Sequence, residues 1–159
     1  MRFFEVDGEI PVECFNMNRR APVDRGPLPA KVAAIAALPP LAQVETIRQG
    51  IATQVFEQIA TAIGVGKETL ARKLHINPQT LRKRKSRMLS ADEAEKSLRV
   101  ARVFGLASEV LGSEDNARQW VNDQIPALGG RRPLELLDTD VGAQEVTNLL
   151  QCLKWGMYA

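Results

Sequence analysis

From Leu41 to the end of the chain, apolar residues recur at helical spacing in short runs that glycine and proline punctuate. Leu41, Val44, Ile47 and Ile51 fall three or four residues apart, with Gly50 as a stop. Val55, Ile59, Ala62 and Ile63 mark a second helix ending at Gly64-Val65-Gly66, and a third covers residues 67–74. Asn77 then caps a fourth, with Pro78 at its first position, where a missing N–H costs nothing. Ser90-Ala91-Asp92-Glu93 forms a capping box: the serine hydroxyl accepts from the free N–H at Glu93, and the glutamate reaches back. The helix it opens is expected to reach about Leu111, burying Val100, Val103, Phe104, Ala107, Val110 and Leu111. Gly112-Ser113 breaks it, and a shorter helix from Glu114 carries Ala117, Trp120 and Val121. After Pro126 and Gly129-Gly130, Pro133 opens a brief turn with Leu134, Leu136 and Leu137. Asp138 or Thr139 caps a last helix, with Val146, Leu149, Leu150 and Leu153 on one face and Gly156 as its stop. Trp120 and Trp155 lie at helical spacing among aliphatic neighbours and are assigned to the core. The expected fold class is all-α.

The first 30 residues depart from this pattern, holding Pro11, Pro22, Pro27 and Pro29 without a sustained period. Phe3-Phe4-Glu5-Val6, Asp7-Gly8 and Glu9-Ile10-Pro11-Val12 read as a short hairpin around a tight Asp-Gly turn, in an irregular appendage that is mobile or docks elsewhere. The expected organisation is an N-terminal appendage over 1–37, one helical module over 38–88 and a second over 89–159.

Composition narrows the chemistry. With 159 residues, 45% apolar and 25% charged, the chain reads as soluble and globular. Two cysteines, Cys14 and Cys152, exclude a disulfide framework and a CxxC knuckle, and a single histidine, His75, excludes a multi-histidine metal site. The most apolar early stretch, residues 32–44, is too short to span a bilayer and is interrupted by Pro39-Pro40; with no secretory signal evident, a cytoplasmic location is expected. Residues 64–68 resemble a phosphate loop only briefly, because the first glycine is misplaced and Glu68 stands where Ser or Thr belongs. Asp138-Thr139-Asp140 is read as a helix cap, not a metal site. No nucleophile, base and oxyanion donor come together, so neither catalysis nor a cofactor is expected.

Charge is the informative quantity. The net charge is only +2, yet residues 67–87 hold eight basic residues against one acid. One concentrated basic segment in a mildly acidic chain points to a polyanion-facing patch or to a solvated helix face. The same stretch fits the spacing of a helix-turn-helix. With Ala71 at the small position where two helices approach, Leu70, Leu74, Ile76 and Leu81 take the other buried positions. Gln79, Thr80, Arg82, Lys83 and Arg87 then face outward, the side chains suited to base edges and phosphates in a major groove. Two positions depart from the pattern. His75 stands where the turn favours glycine, and is read as a turn residue, not a ligand. Arg84 stands where an apolar residue belongs, so that either its stem snorkels along the core or Met88 fills the gap.

The C-terminal end is more distinctive. Residues 127–138, Ala-Leu-Gly-Gly-Arg-Arg-Pro-Leu-Glu-Leu-Leu-Asp, followed by an amphipathic helix and Gly156-Met157-Tyr158-Ala159, resemble the Xre/MbcA/ParS antitoxin family. Gly50, the basic helix 77–87 and Leu89-Ser90 are also similar to it, so the resemblance covers residues 38–159. It implies a helix-turn-helix module joined to a C-terminal toxin-binding module, in an antitoxin of a RES-Xre type II toxin–antitoxin system. It further implies a RES-domain toxin that degrades NAD or transfers ADP-ribose, a homodimer, and repression of the operon through operator DNA. The NAD chemistry belongs to the partner, and the antitoxin is not an enzyme. Within that resemblance Gly129-Gly130 allows a tight turn presenting Arg131 and Arg132, which suit partner carboxylates or contacts that NAD phosphates use; the alternative is that one arginine pairs with Glu135 or Asp138. Met157, Tyr158 and Ala159 form a tail placed to plug the toxin. A dimeric helix-turn-helix regulator with no toxin partner is the other reading.

Overall fold

The computed structural model describes residues 28–83 and 88–156. Among them the architecture is all-α, with α1 (Ala30–Ala36), α2 (Pro40–Gln49), α3 (Thr53–Ala62), α4 (Lys67–Lys73), α5 (Pro78–Lys83), α6 (Ala91–Val110), α7 (Glu114–Asn122), a 3-10 turn (Pro126–Leu128), α8 (Pro133–Leu136) and α9 (Asp140–Lys154). Their only sheet-like pairings are two isolated bridges, Ala52 with Met88 and Ile125 with Arg131. The hairpin expected over Phe3–Val12 lies outside the described residues.

The expected caps are formed. Ser90 Oγ accepts from the Glu93 N–H at 3.3 Å while the Ser90 N–H donates to Glu93 Oε2 at 2.8 Å, closing the box that starts α6. Ser113 caps α7 by accepting from Asn116, and Thr139, not Asp138, caps α9 by accepting from Gly142.

α6 is the organising element. At 20 residues it is about 30 Å long, and α1, α2, α3, α7 and α9 all pack on it. Its inner face carries Leu98, Val100, Ala101, Phe104 and Ala107 into one continuous core with Phe56, Ile59 and Leu70 from the N-terminal side and Trp120, Leu134 and Leu150 from the C-terminal side. α7 also reaches back to α3. Arg118 Nε donates to the Ala62 carbonyl at 2.6 Å and Asn122 Nδ2 to the Ile63 carbonyl at 2.9 Å, supplying partners for a helix C-terminus that its own backbone leaves open.

Three assignments differ from the sequence reading. Residues 30–36, placed in the appendage, form α1, and Val32 is fully buried beneath it. In α2 the expected apolar stripe meets the core only at its C-terminal end: Leu41 is 82% exposed and Val44 is exposed, whereas Ile47 packs partly against the core, Ile51 just beyond is buried, and Gln43 is buried in the first turns. Gln43 Nε2 donates to the Ala36 and Leu38 carbonyls, and its Oε1 accepts from Arg102, so the buried amide is satisfied and ties the α1–α2 corner to α6. Trp120 is buried as expected, but Trp155 is 70% exposed.

Candidate functional site

The helix-turn-helix is built as its spacing requires. Leu70, Ala71, Leu74, Ile76 and Leu81 are all buried. α4 ends at Lys73, and the chain turns through His75 at φ +54°, the single described non-glycine residue in the left-handed region. The turn closes with the Ile76 N–H on the Ala71 carbonyl at 2.8 Å. Asn77 Oδ1 accepts from the Gln79 N–H at 2.9 Å, with Pro78 opening α5. Of the residues assigned to DNA, Gln79 is exposed on α5, while Thr80, Arg82 and Lys83 lie on the same helix with side chains outside what is described. Arg87 and Arg84 lie outside the described residues. Met88 is half-exposed and sits over Gly50, whose φ of +96° ends α2. Lys67, the lysine of the apparent phosphate loop, is paired with Glu57.

The second turn carries the arginines. The Ile125 N–H donates to the Arg131 carbonyl at 3.0 Å, and the Gly130 N–H returns to the Ile125 carbonyl at 3.1 Å. Between them Gly129 and Gly130 adopt φ +67° and +73°, with open space where a Cβ would stand. Backbone conformation, not packing, therefore calls for glycine at both positions. Arg131 is exposed with no ion pair among the described residues, and Arg132 lies 3.5 Å from Glu135. That pairing is the alternative the sequence left open, and it holds for one arginine of the two. Met157, Tyr158 and Ala159 lie outside the described residues.

Glu135 links this turn to the helix-turn-helix. The same Oε1 accepts from Lys73 of α4 at 2.8 Å, and the lysine, helped by Arg132, holds the Glu135 carboxyl below its ordinary value. One turn further, His75 Nε2 lies 3.3 Å from Asp138 Oδ2. Behind both, the buried Arg99 of α6 donates to the Leu137 and Asp138 carbonyls and pairs with Glu95 at 2.9 Å, fixing the α8–α9 corner. Sequence reasoning found His75 and Glu135 singly but not the junction, because no local pattern relates Lys73 to Glu135, 62 residues apart, or His75 to Asp138. It also missed the exposed Trp155. A helical wheel carries that signal: Trp155 is nine residues from Val146, half a turn round the helix.

A helix-turn-helix packed through a shared helix onto a second helical module, which presents a rigid arginine-bearing turn, defines a two-module helix-turn-helix protein. Comparison with known proteins identifies both modules. Residues 42–102 match the family described as the antitoxin Xre-like helix-turn-helix domain, and residues 106–156 match the antitoxin Xre/MbcA/ParS C-terminal toxin-binding domain. Between them the two matches account for well over half of the chain. The chain is 29% identical over 119 residues to the Antitoxin Xre of Yersinia enterocolitica serotype O:8, covering 73% of this chain and 80% of the relative. It is 25% identical over 146 residues to the Prs ADP-ribosylating antitoxin of Sphingobium sp. (strain YBL2), covering 85% and 92%. A second Antitoxin Xre, from Photorhabdus laumondii, is 29% identical over 114 residues, covering 70% and 77%. This chain belongs to the Xre/MbcA/ParS antitoxins.

Proposed function

We propose that this protein neutralises a cognate RES-domain toxin, one that degrades NAD or transfers ADP-ribose, and represses its own operon as a cytoplasmic homodimer bound to operator DNA. Arg131 and Arg132 engage acidic groups at the toxin's active-site entrance, and Met157, Tyr158 and Ala159 block it. Gln79, Thr80, Arg82, Lys83 and Arg87 meet the DNA. The observation that carries this reading is the Gly129-Gly130 turn, which lies inside the matched toxin-binding domain and holds two exposed arginines on a backbone of fixed shape. Preorganised guanidinium groups lose little entropy on binding and suit carboxylates or phosphates.

The test mixes purified antitoxin with a purified RES-domain toxin and follows NAD consumption and ADP-ribose transfer. Stoichiometric inhibition by the wild type, weakened in R131A/R132A and in a chain lacking residues 157–159, is the expected result. Unaltered toxin activity with excess antitoxin overturns the reading in favour of a helix-turn-helix regulator with no toxin. On the DNA side, R82A/K83A is expected to reduce the salt slope of operator binding by about one unit per lost phosphate contact. An unchanged slope in gel shifts at several salt concentrations means that another face meets the DNA.

A further inference from the structure

We infer that Arg131 and Arg132 also contact the phosphate backbone of DNA, so that the second module extends the DNA surface of the helix-turn-helix; this rests on the DNA-binding reading above. The arginine turn stands beside α4. Glu135, three residues past Arg132, accepts from Lys73 of α4 at 2.8 Å, through the same Oε1 that lies 3.5 Å from Arg132. Lys73 and Arg132 thus share one carboxylate oxygen, and the guanidinium adjoins the segment that holds eight basic residues against one acid. In helix-turn-helix complexes the second helix enters the major groove while the first crosses the backbone. A cation held beside the first helix therefore suits phosphate oxygens, not base edges.

The acids at this junction do not cancel the patch, because each faces a cation of its own. Glu135 is taken by Lys73 and Arg132, Asp138 lies 3.3 Å from His75, and Glu95 and Asp140 both face Arg99. Arg72 of α4 and Arg131 of the turn are exposed, with no ion pair among the described residues. Arg131 is also fixed by its backbone, whose carbonyl accepts from Ile125 at 3.0 Å and whose N–H donates to Leu128 at 3.4 Å. A guanidinium on a fixed backbone loses little freedom when its fork takes two phosphate oxygens. Carboxylates of a toxin would suit the same fork. What points to DNA is the place, where cations of two modules lie side by side and a polyanion spanning both relieves their repulsion.

The test titrates the full chain, at several salt concentrations, onto a duplex from the region upstream of its own gene and onto a scrambled duplex of equal length. R131A/R132A is expected to bind both duplexes about ten-fold more weakly, with the salt slope lowered by about one unit per lost phosphate contact. R131K/R132K keeps the slope. E135Q removes the negative charge between Lys73 and Arg132 and binds both duplexes several-fold more tightly, a gain that a misfolded variant does not imitate. If R131A/R132A keeps the wild-type slope and affinity, the arginines belong to a protein partner alone and the inference is overturned. If it weakens binding to the upstream duplex only, the turn reads bases and the backbone contact is wrong. Loss of slope in R82A/K83A but not in R131A/R132A overturns this contact and leaves the helix-turn-helix reading standing. A wild-type chain that binds neither duplex overturns both.

Discussion

The half of the molecule aimed at DNA and the half aimed at a protein keep their shapes by different means. α4 and α5 are seven and six residues long, well below the length at which a helix sustains itself in water. α9 of the protein-facing half runs to 15 residues and α6, which the two halves share, to 20, each opened by a hydroxyl cap. The helices of the DNA-facing half are held from outside. Arg118 and Asn122 of α7 cap α3, Glu135 of α8 takes Lys73, and Asp138 meets His75 in the turn. The sequence divides into two matched domains, whereas the core does not divide. A module that must fit a groove keeps its outer surface for the ligand and draws its stability from its neighbour.

The strongest test of this contrast is removal of the neighbour. A chain ending at Gly112, which lacks α7, α8 and α9, is expected to lose cooperative melting and operator binding together. A cooperative melt near that of the full chain would break the comparison. Next comes Gly142, where a Cβ would stand 2.1 Å from the Leu136 carbonyl oxygen. G142A is expected to destabilise by about 2–3 kcal/mol in denaturant melts, because the α8–α9 corner must open to admit a methyl group. N122A removes the side-chain donor to the Ile63 carbonyl, and a loss of about 1–2 kcal/mol is expected; a neutral result would mean that α3 does not depend on α7. The smallest effect is at Glu135. Its carboxyl is lowered in the folded state, so its contribution is present above the ordinary carboxylate range and is lost as the pH falls through the lowered value. The pair with Lys73 is partly exposed, so E135Q is expected to cost less than about 1 kcal/mol near neutral pH, and less again in high salt. Melts of the two proteins should converge at low pH.

What could be read from the sequence follows the same division. Features set by neighbours in the chain were legible: the Ser90 box, the Asn77 cap, the positive φ at His75 and the double-glycine turn each rest on four or five consecutive residues. Faces set by distant partners were not. The Leu41–Val44 stripe has proper helical spacing but points outward, since the α1–α2 corner is closed by the amide of Gln43 and not by an aliphatic side chain. Trp155, expected in the core from its helical spacing among aliphatic neighbours, points outward by its phase on α9. In the candidate site the arginines were found, but the Lys73–Glu135–Arg132 link needed the tertiary structure that brings α4 beside α8.

The continuity of α6 bears on how such antitoxins can diversify. The two matched domains meet across residues 103–105, inside this helix and at the core residues Val103 and Phe104. A lineage that exchanged its C-terminal half for another would have to splice through a packed rod, leaving one parent's α3 against the other's α7. New pairings of toxin with operator are therefore more readily reached by drift on each surface than by shuffling of the halves.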